Sequence, residues 1–123
     1  MKYLRSSQKT ISASELDEIE QKLNLIFPKE YRFFLLDNNG GLSKSDDKRF
    51  DDAVFNVADD YERSLILEIM EYFDAGNDLS MIPIGETLNE DPILLKLPSG
   101  GIFIEGEMIS KDFNTFLMML EKQ

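Results

Sequence analysis

Phe27-Pro28-Lys29-Glu30-Tyr31-Arg32-Phe33-Phe34-Leu35-Leu36-Asp37-Asn38-Asn39-Gly40-Gly41 holds a helix start, an apolar stripe and a helix stop in one short run. Proline fits the first helical turn, where no backbone donor is needed, so Phe27-Pro28 ends whatever precedes it and opens a new helix. Tyr31, Phe34, Leu35 and Asn38 then share one side, and Asn39-Gly40-Gly41 supplies residues that accept the left-handed conformation of a C-cap. Upstream, Ser12-Ala13-Ser14-Glu15 is a capping-box pattern, and Leu16, Ile19 and Leu23 follow at three- and four-residue spacing. Two short helices are expected to meet at a tight Phe-Pro corner.

Downstream, residues 43–52 are polar and aperiodic and read as a loop within the domain. Ala53-Val54-Phe55-Asn56-Val57 alternates weakly and reads as a strand. From Tyr61 to Phe73 the set Tyr61, Leu65, Ile69, Tyr72 and Phe73 has helical spacing, with Glu68, Glu71 and Asp74 on the solvated side. Strands follow at Met81–Ile84, Ile93–Leu97 and Ile102–Ile104, and Pro98-Ser99-Gly100-Gly101 makes the last two an antiparallel hairpin. Pro83 cannot donate to a ladder, which makes its strand a sheet edge or one that begins beside a bulge. Ser110 reads as the N-cap of a closing helix with Phe113, Phe116, Leu117 and Leu120 on one stripe. Met118 and Met119 fall outside that stripe, which leaves a homodimer contact, a partner site or a fraying end. The expectation is an α+β fold over residues 1–123, one domain with helices packed on a mostly antiparallel sheet.

Composition removes much chemistry. The 123 residues contain neither cysteine nor histidine, which excludes disulfides, thiol nucleophiles, Cys/His zinc sites and histidine acid–base catalysis. Asp37-Asn38-Asn39-Gly40-Gly41 superficially resembles a calcium loop, but its sixth position is Leu42 and its twelfth Lys48. Acid doublets such as Asp51/Asp52 and Asp59/Asp60 offer magnesium little, since adjacent residues point apart. The glycines give no phosphate-binding pattern. No cofactor, metal site or catalytic residue is expected. The N-terminus lacks an apolar signal region and no stretch is apolar enough to span a bilayer, so a cytoplasmic protein is expected.

Charge is unevenly placed. Residues 1–50 carry a net +1 and residues 92–123 a net −1, while residues 51–91 hold twelve acids against Arg63 alone, a net −11 equal to the whole formal charge. Such a segment repels nucleic acid and anionic lipid and steers a basic partner toward itself. The candidate contacts are Asp51, Asp52, Asp59, Asp60 and Glu62, with Asp74, Asp78, Glu86, Glu90 and Asp91 behind them. The plain alternative for each is a solvated acidic surface.

The Phe27–Gly41 run, following a helix that carries Glu20, resembles the "LPxxYxxFLxxxNGG" signature of the SMI1/KNR4 (SUKH) family. Met81-Ile82-Pro83-Ile84-Gly85, the Leu95-to-Phe103 hairpin and Ser110…Phe113…Phe116-Leu117 are similar to that family's "iPIG", sheet and "sFxxFL" elements, in the same order over residues 12–121. Asp91-Pro92 departs from it, standing near the place where the family often carries Gly-Asp. The resemblance implies a scaffold without a catalytic constellation and, by its bacterial members, an immunity protein that neutralises a cognate protein toxin. Its fungal members imply an intracellular scaffold or regulatory module instead. A small carboxylate or metal-dependent hydrolase is the reading from another class.

Overall fold

A helix starts where side chains can satisfy its first backbone donors, and Ser12 does this for α1, Ala13–Leu23. Its Oγ accepts from Glu15 N–H at 3.1 Å, while Glu15 Oε1 accepts from Ser12 N–H at 3.3 Å. The capping box read from the sequence is present, and Leu16 and Ile19 are buried as their spacing predicts. The chain then turns at Phe27-Pro28 into α2, Lys29–Asn38, with Pro28 as N-cap and Arg32 N–H donating to the Pro28 carbonyl at 3.0 Å. Tyr31, Phe34, Leu35 and Asn38 are buried. Asn39 (φ 46°) and Gly40 (φ 87°) end the helix in left-handed conformations. Glycine is required at position 40, since a Cβ there would lie 2.7 Å from the carbonyl oxygens of both Phe55 and Asn56.

The computed structural model describes residues 4–6, 10–43, 48–51, 53–56, 64–78 and 80–120. Within them the strands are β1 (Leu4–Ser6), β2 (Gly41–Ser43), β3 (Val54–Phe55), β4 (Met81–Glu86), β5 (Pro92–Lys96), β6 (Ile102–Ile104) and β7 (Glu107–Ser110). They form a seven-stranded sheet in chain order, every pair antiparallel. Helix α3 (Leu65–Asp74) lies between β3 and β4 in sequence and packs against β4; α4 (Phe113–Leu120) follows β7. This is the α+β fold expected from the sequence. No helix among the described residues is long and apolar enough to cross a membrane.

One reading is decided between its two alternatives, the bulge over the edge, and two change. Pro83 is not on an edge: β4 has β3 on one side and β5 on the other, and the register shifts between Pro83 and Gly85. The bulge removes the conflict between a proline and an interior strand, because the extra residue, Ile84, interrupts the ladder beside the missing donor. Ser110 belongs to β7, opposite Ile102, and is not a helix cap. Asp112 caps α4 instead, its carboxylate accepting from Thr115 N–H at 2.7 Å. Ser43, read as the first residue of the loop, is instead the last residue of strand β2. Ser64 caps α3 through Leu67 N–H at 3.3 Å, and the Tyr61 end of the predicted helix lies outside the described residues.

The core is an aromatic cluster fed by both ends of the chain. Tyr31 packs edge-on to Phe27 and Phe113 at centroid separations of 5.5 and 5.3 Å, and Phe113 meets Phe34 at 5.4 Å. Phe116 carries the cluster on to Phe50 and Phe55. Each fully buried ring contributes roughly 1.5–3 kcal/mol of transfer free energy, so the Phe-Pro corner and the closing helix hold each other in place.

Candidate protein-binding surface

The predicted acids divide by the bonds their residues already make. Asp78 Oδ1 accepts from Ser80 N–H at 2.9 Å, closing the turn into β4. Asp91 lies in the β4–β5 turn, where its N–H donates to Thr87 Oγ1 at 3.1 Å and its carbonyl accepts from Thr87 N–H at 2.9 Å. Those bonds hold the turn that takes the place of Gly-Asp. Glu90 occupies the same turn with φ 67°, exposed. Asp51, on the turn before β3, and Asp74, the last residue of α3, are exposed. Asp52, Asp59, Asp60 and Glu62 lie outside the described residues.

Glu86 is different, because tertiary structure brings other acids to it. At the end of β4 it lines a groove of about 230 Å³ together with Glu68, Glu71 and Tyr72 of α3, over a floor that includes Asn56 and Pro83. Asn56 is itself buried; its N–H donates to the Ile84 carbonyl at 2.8 Å and its Nδ2 reaches the Pro83 carbonyl at 3.5 Å. The floor is thereby tied to the bulged strand. Glu68 and Glu71 are one helical turn apart and reach the groove from the flank of α3 that turns toward β4. Burial first, and then the charges of Glu71 and Glu86, push the Glu68 carboxyl above its ordinary value.

The sequence reading of Glu68 and Glu71 as part of a solvated helix face holds, since both are exposed. Their spacing was the available signal, but the strand they face was not readable from it. Among the described residues no group of three or more Asp or Glu side chains is arranged to hold a metal ion. What the groove offers is negative potential in a partly desolvated recess, which favours a cation or a hydrogen-bond donor over an anion.

A second constellation of charge is structural. Arg32 of α2 meets Glu20 and Asp17 of α1, the latter at 3.1 Å, and Glu20 Oε2 also accepts from Phe27 N–H at 2.7 Å. Glu20 thus fixes the corner that the Phe-Pro sequence begins.

A search of curated proteins finds no match to the chain. The family model for the SMI1 / KNR4 family (SUKH-1) matches residues 10–122, a span that takes in the Phe-Pro corner, the bulged β4 strand and the closing helix, and the chain accordingly belongs to the SMI1/KNR4 family.

Proposed function

We propose that this protein is a non-enzymatic immunity protein of the cytoplasm, which binds a cognate protein toxin with a basic surface and neutralises it by occupying that surface. The observation that carries the reading is the convergence of Glu68, Glu71 and Glu86 on one groove within the stretch that holds the whole net charge. The family supports it, being known for immunity proteins that are generally without catalysis. Acids so placed raise the rate of encounter with a basic partner and disfavour acidic competitors. Asp51, Asp74, Asp78, Glu90 and Asp91 add to that negative charge, Asp78 and Asp91 while building turns, and Asp52, Asp59, Asp60 and Glu62 belong to the same acidic stretch of sequence.

The test is co-purification with the toxin encoded beside its gene, followed by rescue of cells expressing that toxin. Lysine substitutions at Glu71, Asp74 and Glu86 are expected to abolish rescue and flatten the salt dependence of binding. Rescue that survives these reversals with an unchanged salt dependence refutes the placement of the interface. Failure of the unaltered protein to bind any neighbouring toxin favours the regulatory-module reading.

A further inference from the structure

Strand register places an apolar row beside the acidic groove. Residues opposite one another in an antiparallel sheet point to the same face, and successive residues along a strand point to opposite faces. Ile82, Leu95 and Ile102 are opposed in turn across β4, β5 and β6 and are fully buried, which fixes the core face. Pro83, Leu94, Phe103 and Met108 are opposed in turn across β4 to β7 and therefore share the other face. Their exposure rises along the row: Pro83 is buried, Leu94 and Phe103 are half-buried, and Met108 is 56% exposed. Lys96, on the same face, holds its Nζ 5.9 Å from the Phe103 ring centroid.

The non-core face of an antiparallel sheet ordinarily alternates to polar side chains. Four consecutive apolar positions across four strands depart from that pattern, and Pro83 at one end also lines the groove with Glu68, Glu71 and Glu86. The row and the groove are thus neighbours that meet at the buried Pro83, with apolar side chains along the row and carboxylates at that end. Protein interfaces are built this way, with apolar anchors that slow dissociation and a charged border that selects the partner. The charge decides the occupant, since Glu68, Glu71 and Glu86 outnumber Lys96 on this surface and the acidic end accepts lysine or arginine and repels an acidic segment.

We propose that a basic protein partner lays a short segment along this row, with an apolar side chain against Leu94, Phe103 and Met108 and a lysine or arginine in the groove between Glu68, Glu71 and Glu86. The proposal rests on the acidic-surface reading above and adds to it the apolar half of the contact and the side-chain pattern of the occupant.

The experiment titrates three synthetic peptides of equal length into the isotope-labelled full chain and follows backbone amide shifts. One peptide alternates lysine with leucine, one lysine with serine, and one glutamate with leucine. The lysine–leucine peptide is expected to shift the amides of Glu86, Leu94, Phe103 and Met108 and to bind about tenfold more tightly than the lysine–serine peptide. Met108→Ser, at an exposed position that leaves the core untouched, is expected to remove most of that difference. Equal binding of the two lysine peptides, or shifts that spare Leu94, Phe103 and Met108, overturns the proposal and leaves the acidic-surface reading standing, whereas equal binding of the glutamate–leucine peptide overturns both. No binding by either lysine peptide overturns both.

Discussion

Glu20 and Arg32 form an ion pair that joins α1 to α2, and the same Glu20 carboxylate holds the Phe27 N–H at the corner between them. The Glu20 side chain is only 11% exposed, so the pair is not a screened surface contact. Removing Glu20 leaves Arg32 with Asp17 alone and strips the Phe27 N–H of its acceptor. Glu20→Ala is expected to lower stability by ~2–4 kcal/mol. Arg32→Ala is expected to do less, because Glu20 keeps its backbone donor. Urea denaturation of the two variants and the double variant reads the difference and the coupling.

Gly40 and Gly76 share a φ of 87° but not their surroundings. Gly76→Ala meets open space and is expected to cost only ~1 kcal/mol, the strain of a left-handed alanine. Gly40→Ala drives a methyl group into the Phe55 and Asn56 carbonyls and is expected to cost ~3 kcal/mol or more. Similar losses at the two positions, in paired denaturation curves, would show that backbone conformation alone explains the glycine.

Tyr31 is buried in the aromatic cluster, and its hydroxyl has no hydrogen-bond partner among the described residues. Burial pushes that hydroxyl's pKa far above its ordinary value, so it stays neutral and still lacks a partner. Tyr31→Phe keeps the ring contacts and removes an unsatisfied polar atom. It is expected to leave stability unchanged or raise it by ~1 kcal/mol, as read by thermal melting.

Asp112 and Glu68 are expected to give pH effects of opposite sign. The hydrogen bond from Thr115 N–H holds the Asp112 carboxyl below its ordinary value. Its stabilisation is therefore present above the unfolded pKa and lost as pH falls through the folded one. Asp112→Asn, which still caps, should flatten the acid limb of the stability profile. Glu68 is raised, so its ionisation works against the fold once pH climbs past the unfolded value. Glu68→Gln should stabilise at neutral pH and have little effect in acid. Melting temperatures across the range from acid to neutral test both, and a Glu68→Gln gain that persists in acid contradicts the assigned cause.

Local order was legible wherever neighbouring residues decide it. The Ser12 capping box, the buried side of α2 and the left-handed Asn39-Gly40 stop follow from backbone donors, helical spacing and φ preference, each acting within a few residues. Strands β1 and β2 have three residues each, too few for alternation to register, and they exist because they pair with each other and with β3. Ser110 and Asp112 are both good cap formers. Pairing with Ile102 commits Ser110 to β7, and its Oγ donates to the Asp112 carbonyl at 2.5 Å.

The acidic stretch shows the same division. Its charge is a property of composition and needed no fold. Which carboxylates converge was set by α3 packing against β4: it brought Glu68 and Glu71 to Glu86, while Asp78 and Asp91 were drawn into turns. The sequence by itself determined the helices, the Phe-Pro corner and the negative field, because those depend on short-range geometry and on summed charge. Only tertiary structure decided the bulge at Ile84, the acid groove and the row from Pro83 to Met108, because each requires residues far apart in the chain to become neighbours across hydrogen-bonded strands or a packed helix.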